Sequence, residues 1–358
     1  MASKEKTPQH FLVADDNGYA DHKFAWFGEN KEILVGKIAS IIQQGGQPLS
    51  DTLGNRIGAY AISGQTFICS SAVNAPLEIR TADYPTSVPN RVLVNHGLRT
   101  FGLLGKSVAL AVTLPFRDFY KEDGTIDNDL RTRTAENFKQ NDVEIVDVEG
   151  KAEIVEVQVF AEAMSAWFDW AIKDDGSMSK DYESMAEMIG KMLVVDIGGS
   201  TTDLACLQLV DGTLAIDHSK SGSKKIGVLD AKEKLGELIR AEMQANGVQG
   251  MTGHDSVVPQ QLINVVMEKG KVYWAGKEWD FTEQRDKASE EVTDQISSYL
   301  RTKAGNTTQY FRILVVGGGA LVFQQMLSKV FQNATFSDEF ANARGALKYL
   351  RDKMSSQA

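Results

Sequence analysis

The sequence predicts an α/β protein whose mixed sheets fall into two similar halves. Three observations carry that expectation. Apolar runs end in acidic or glycine-rich turns at three places, and stretches of helical period lie between them. Two strand–turn–strand units, one around Asp16 and one around Asp196, repeat the same design far apart in the chain. Strands interleaved with helices in this way build layered α/β domains rather than bundles or sandwiches.

Taken in order, residues 1–10 (MASKEKTPQH) are polar and read as a disordered tail, without the apolar stretch of a secretory signal. The run FLVADDNGYADHKFAWF (11–27) is a hairpin: an apolar strand ends at Asp15-Asp16, Asn17-Gly18 supplies the turn, and HKFAWF resumes as a strand. GLLGKS (102–107) has the look of a P-loop ending. It precedes the strand VALAVTLP instead of following one, and Thr100 stands where the first glycine should be, so it reads as a turn. The polar stretch 171–190 (AIKDDGSMSKDYESMAEMIG) marks the connection between halves. MLVVDIGGSTTDLACLQLV (192–210) is the second hairpin, followed by a DG turn and TLAID. Helical spacing puts Leu235, Leu238, Ile239 and Met243 on one face of 230–245, and DQISSYLRTK and NARGALKYLRDK are two more helices. FRILVVGGGALVFQQMLSKVF (311–331) is a strand that enters three glycines and leaves as a helix. No short-period repeat is evident.

Composition narrows the function. The 358 residues are 42% hydrophobic and 24% charged, enough for about two buried cores. A net charge of −10 disfavours direct nucleic-acid binding, and the densest basic stretch, SKSGSKK (219–225), is a short loop. Without an 18-residue apolar run no membrane span is expected. Cys69 and Cys206 lack metal-ligand spacing and suit two buried thiols in a reducing cytoplasm.

The turns carry the chemistry. Backbone N–H groups of a glycine turn can point at an anion, and small residues let phosphate oxygens approach. Ser200 and Thr201 add hydroxyl donors. Asp16 and Asp196 would repel phosphate unless a divalent cation lay between, and Mg²⁺ held through one or two carboxylates fits that need. Lys23 can reach the same phosphates as a point charge. Gly317, Gly318 and Gly319, after a strand and before a helix, let a nucleotide come close.

In combination these turns resemble the motifs of the actin superfamily. Asp16-Asn17-Gly18 with Lys23 is similar to its first phosphate loop, VVDIGGSTTDLA to its second and VVGGGA to its adenosine motif. Within the superfamily the chain most resembles the bacterial plasmid-segregation actins, the ParM (StbA) family, through ADDNGYADHK, VALAVTLPFRDFY and VEVQVFAEAMSAW, over roughly residues 11–350.

The resemblance implies an actin-like two-lobed ATPase fold built from two ribonuclease-H-like domains with a central nucleotide cleft. The first lobe would comprise 11–170 plus 337–358, the connecting segment 171–190 and the second lobe 191–336. Asp16 would bind hydrated Mg²⁺, with Gly18, Tyr19 and Lys23 near the β- and γ-phosphates. Asp196 would face metal and attacking water, Gly198, Gly199, Ser200 and Thr201 would contact phosphate, and Gly317, Gly318 and Gly319 would lie under adenosine. Glu162 matches the family's water-orienting glutamate in the first connecting helix, although Ala161 and Ala163 flank it here. FANARGALKYL (340–350) resembles the second connecting helix, with Ala343 and Gly345 small where lobes pack. KKIGVLDAKEK (224–234) is the candidate for the adenine surroundings. The implied protein is an ATP/ADP-binding, self-polymerising plasmid-partition ATPase, reaching DNA through a ParR-like adaptor on a centromere-like site. A small-molecule kinase of the same superfamily is the alternative.

Overall fold

The computed structural model describes residues 10–188, 190–248 and 257–357. The expected tail lies outside them except for His10, whose Nδ1 hydrogen-bonds Ser107 Oγ at 3.0 Å. The chain opens with the meander β1 (Phe11–Asn17), β2 (Asp21–Phe27) and β3 (Ile33–Ala39). A side unit follows, with β4 (Ile42–Gln44), β5 (Ala59–Ile62), β6 (Gln65–Cys69) and helix α1 (Val88–Thr100). Then come β7 (Ser107–Leu114), α2 (Phe116–Phe119), α3 (Asn128–Lys139), β8 (Glu144–Ile145) and β9 (Glu153–Ala161). The main sheet runs β3-β2-β1-β7-β9, and β4-β6-β5-β8 form a separate small sheet.

After α4 (Met164–Ala171) and α5 (Lys180–Glu187) the design starts again. Strands β10 (Lys191–Ile197), β11 (Thr202–Val210) and β12 (Thr213–Ile216) form a second meander, with β13 (Gly222–Lys224) paired to β11. An insertion holds α6 (Val228–Ala245), α7 (Gln260–Lys269), the hairpin β14 (Lys271–Trp274) and β15 (Lys277–Asp280), and α8 (Thr282–Ala304). The chain finishes with β16 (Arg312–Val316), α9 (Gly318–Val322), α10 (Gln324–Val330), β17 (Ala334–Phe336) and α11 (Ala341–Gln357).

The second sheet runs β12-β11-β10-β16-β17, the order of the first. Directions match too. In each sheet the meander is antiparallel, and the two later strands lie parallel to its first strand and to each other. Two sheets with one order and one set of directions are duplicated ribonuclease-H-like halves.

Alternation along the strands explains how each sheet is covered. In β10, Leu193, Val195 and Ile197 face a core with Val292, Ile296 and Leu300 of α8, while Met192 and Val194 face Ala166, Trp167 and Met185. Each such buried aliphatic is worth about 1.5–3 kcal/mol. On the first sheet Ala14, Ala25 and Ala111 meet Ala343, Ala346 and Leu347, so α11 lies close against it.

Helices α4 and α11 cross where the lobes meet. A Cβ on Gly345 of α11 would stand 1.7 Å from the Ser165 carbonyl oxygen, so only glycine permits this approach. Arg344 and Lys348 of the same helix pair with Asp169 of α4 at 2.7 and 2.9 Å. Gly345→Ala should therefore destabilise the protein by about 1–3 kcal/mol, the cost typical of an overpacked core, with so close a backbone approach favouring the upper end. Thermal unfolding checks it, and an unchanged melting temperature would show that the helices separate without cost.

Beyond the duplicated halves that the sequence suggests, the structure contains a smaller repeated turn that the sequence reading does not pick out. Residues 120–127 and 172–179 form the same hairpin turn, closed by the bridges Tyr120–Ile126 and Ile172–Met178. In each, an aspartate (Asp123, Asp175) accepts from the backbone and hydroxyl of the Thr or Ser two residues on, and Asp127 or Ser179 then caps the next helix. The segment 171–190 accordingly holds a built turn and α5, with Ile172 and Met185 buried against the second sheet. Cys69 and Cys206 are both free and buried. Among the described residues no helix is long and apolar enough to cross a membrane.

Candidate functional site

The carboxyl ends of β1 and β10 point at the same cleft, the place where open α/β sheets bind ligands. One small pocket there, about 40 Å³, is lined by Asp16, Gly18, Tyr19, Lys23, Glu162, Asp196, Gly198, Gly199, Ser200 and Thr201, together with Thr113 and Tyr84 among others. Ten predicted site residues from three parts of the sequence thus share one wall-to-wall space.

Register makes the two hairpins comparable. Asp16 on β1 pairs across the strand with Lys23 on β2, and Asp196 on β10 pairs at the same offset with Asp203 on β11. The first hairpin therefore sets a cation opposite its aspartate: Lys23 Nζ donates to Asp16 Oδ2 at 3.2 Å. Thr113 Oγ1 donates to the other oxygen, Asp16 Oδ1, at 2.9 Å, and the Thr113 N–H donates to Asn17 Oδ1 at 3.0 Å. Beneath, a fully buried chain braces the turn. His22 Nδ1 stands 2.7 Å from Asp15 Oδ2, and its Nε2 stands 2.7 Å from the Tyr84 hydroxyl. Tyr19 packs on Tyr84 with ring centroids 5.2 Å apart.

The second hairpin has no such cation. Asp203 Oδ1 accepts from the Phe116 N–H at 2.9 Å and from the Ser223 hydroxyl, while its Oδ2 is buried without a hydrogen-bond partner. Asp196 accepts from Asn342 Nδ2. Ser200 Oγ is likewise buried and unpartnered.

Four carboxylates therefore crowd one low-dielectric cleft, and the acidity of Asp196, Glu162 and Asp203 shows it. Burial, then Asp16 and Asp203, push Asp196 up to about 7. Burial, then Asp203, Asp16 and Asp196, hold Glu162 well above the usual carboxylate range. Burial also raises Asp203. It works to depress Lys23, but Asp16, Asp21 and Asp196 hold that ammonium above its ordinary value. Burial, then Asp118 and Glu162, take the Tyr19 hydroxyl to about 12, so it stays a donor at neutral pH.

A sign follows for stability. The ionised form of Asp196 is disfavoured by folding, so its penalty is nil below the unfolded value of 3.8 and complete above about 7. Nucleotide-free protein in metal-free buffer should melt at a higher temperature at pH 5 than at pH 8. A melting temperature that rises across that interval would contradict the crowded cleft.

Glu162 is not in a helix, contrary to expectation. It follows β9, its N–H donates to the Leu114 carbonyl at 2.8 Å, and α4 starts only at Met164. The residue between, Ala163, takes the left-handed φ of 61°. With alanines on both sides of Glu162, this tight turn replaces a helical first turn and sets the carboxylate at the pocket.

The three glycines after β16 are placed differently from the other predicted residues. A Cβ at Gly317 would come 2.3 Å from Asp196 Oδ1, and one at Gly319 would come 2.3 Å from Ile197 Cγ2. Packing against β10 accounts for both. At Gly318 a Cβ would meet nothing within 4 Å, so that position is open to a ligand.

Next to the small pocket lies a larger one, about 550 Å³, between the two insertions. Leu77, Ile79 and Arg80 line one side, and Leu229, Lys232 and Gly236 of α6 line the other. The segment 224–234, chosen for the adenine surroundings, thus supplies part of this wall.

Thr113, Asp203 and Asn342 were missed, and Asn17 was read only as part of the turn. Asp203 had a signal in its offset from Asp196, the same as that of Lys23 from Asp16. Nothing in the local sequence singles out Thr113 or Asn342.

Two matched ribonuclease-H-like sheets, facing each other over glycine hairpins and converging carboxylates, define an actin-type two-lobed protein. Residues 11–173 match the family model described as plasmid segregation protein ParM, N-terminal, and residues 194–329 match that of the archaeal actin homologue MreB-like, C-terminal. The chain belongs to the actin superfamily.

Among solved structures, a 15-stranded ParM filament from Clostridium botulinum superposes with a TM-score of 0.74 at 17% identity, over 96% of this chain and 99% of that one. An archaeal actin homologue gives 0.72 at 18% identity over 96% and 99%. The complex of an archaeal actin homologue with ADP gives 0.67 at 19% over 96% and 99%. At such identities the likeness is one of fold. No curated protein matches the sequence.

Proposed function

We propose that the protein is an ATP-dependent polymerising actin homologue, cytoplasmic, whose dynamic filaments segregate plasmid DNA through a ParR-like adaptor bound at a centromere-like site. The observation that carries this reading is the convergence of Asp16, Glu162, Asp196 and Asp203 between two glycine hairpins. Such a cluster is unfavourable alone and needs positive charge brought to it. The ParM filament and the ADP complex among the fold's relatives support polymerisation and nucleotide binding.

The donor set fits hydrated Mg²⁺. Among the described residues no three Asp, Glu, His or Cys side chains group tightly enough to cage a metal unaided. Mg²⁺ is ordinarily held by one or two carboxylates, waters and phosphate oxygens, and Asp16 and Asp196 would provide the carboxylates. The ion would supply charge neutralisation between these side chains and the phosphates. Gly198, Gly199, Ser200 and Thr201 would cradle the phosphate chain by N–H and hydroxyl donors, and the unpartnered Ser200 Oγ would gain an acceptor. Lys23 would neutralise oxygens on the opposite side. Glu162 would orient the attacking water and take its proton. Hydrolysis would then time filament disassembly, because the γ-phosphate holds the lobes in the assembling arrangement.

Light scattering after ATP addition tests the whole reading. A steep threshold in protein concentration, followed by decay as ATP is spent, is the expected result. No threshold, with turnover stimulated by a small hydroxyl compound, would overturn it in favour of a kinase.

A further inference from the structure

We propose that Asn342 is a positioning residue for hydrolysis, a single buried amide that clamps the carboxylate of Asp196 and the turn that carries Glu162. The role rests on the ATPase reading above and deepens it.

Asn342 is the second residue of α11 and is almost fully buried. Its Nδ2 donates to Asp196 Oδ2, and its Oδ1 accepts the Ala163 N–H at 3.2 Å. Ala163 is the left-handed residue that follows Glu162, and the neighbouring bonds are also made. The Glu162 N–H reaches Leu114, and the Glu162 carbonyl accepts the Met164 N–H at 2.7 Å. One side chain thus joins three segments: the end of β10, the β9–α4 turn and the start of α11. The first belongs to the second sheet, and α11 lies on the first sheet, so the clamp also spans the lobes.

Residue type follows from the partners. A carboxylate requires a donor and an N–H requires an acceptor, and asparagine offers one of each on a short rigid stem. Aspartate would keep the Ala163 bond and face Asp196 with like charge. Alanine would lose both bonds, leaving a buried N–H and a buried carboxylate oxygen short of a partner. A non-glycine residue persists in the left-handed region only when its surroundings over-determine it. Loosening Asn342 would therefore let the Glu162 turn drift, and displacements near 1 Å cost roughly 100-fold in such chemistry.

The test compares steady-state and single-turnover ATP hydrolysis of the full chain with Mg²⁺, well below each variant's melting temperature. Asn342→Ala is expected to lower kcat about 10- to 100-fold with KM for ATP within about threefold. Asn342→Asp should lower kcat further and weaken ATP as well. Should the alanine variant fail to fold, Asn342→Ser carries the same comparison. A folded Asn342→Ala protein with wild-type kcat, or with only KM raised, overturns the role. A wild-type chain that turns over no ATP overturns the ATPase reading and this role together, whereas an active wild type with an equally active variant removes this role alone.

Discussion

Glu162→Gln is expected to leave a protein that binds Mg-ATP and assembles but hydrolyses about 10²- to 10⁴-fold more slowly, the range for loss of a general base. Glutamine keeps the size and the backbone turn, so the Leu114 and Met164 bonds on either side persist. What disappears is the carboxylate proposed to accept a proton from the attacking water. Filaments of the variant should therefore persist after ATP addition, whereas wild-type filaments are expected to decay. Phosphate release and scattering read the two effects separately. Normal phosphate release from this variant would remove Glu162 from the mechanism. Because burial and three neighbouring aspartates hold Glu162 above the usual carboxylate range, wild-type hydrolysis should also climb with pH as the base ionises.

Asp196→Asn is expected to strengthen the empty protein while weakening its hold on Mg-ATP. The wild-type carboxyl is pushed from 3.8 to about 7 by burial, Asp16 and Asp203, so at pH 8 its charge opposes folding by up to about 4 kcal/mol. Asparagine removes the charge and keeps an oxygen for the Asn342 amide. The nucleotide-free variant should melt about 2–8 °C above wild type at pH 8, with the difference shrinking toward pH 5. Calorimetry should show Mg²⁺ strengthening ATP binding by the wild type and not by the variant. A variant less stable than wild type at pH 8 would mean that Asp196 is stabilised by its surroundings, and the argument for a site awaiting positive charge would fall. Stability given up at a functional cleft is a common compromise.

Much of the fold could be read along the chain. Both hairpins stand where residue period and turn chemistry put them, the helices read at 230–245 and 342–353 fall within α6 and α11, and the strand–glycine–helix unit read at 311–331 becomes β16, α9 and α10. The tight approach at Gly345 was legible as a small residue in a helix expected to join lobes. Glu162 was legible as a residue but not as a shape, because a left-handed alanine after it has no local signature. The repeated turn at 120–127 and 172–179 escaped notice because its two copies share hydrogen-bond roles more than letters.

The chain alone determined where strands end in small and acidic residues, since strand period, turn propensity and glycine spacing act over a few neighbours. Only folding decided that Asp203 would stand opposite Asp196, that Thr113 would bond Asp16, and that Asn342 would hold Asp196 and Ala163 at once. Those relations join distant segments, and their strength comes from excluding water around charges that each segment, by itself, would leave solvated.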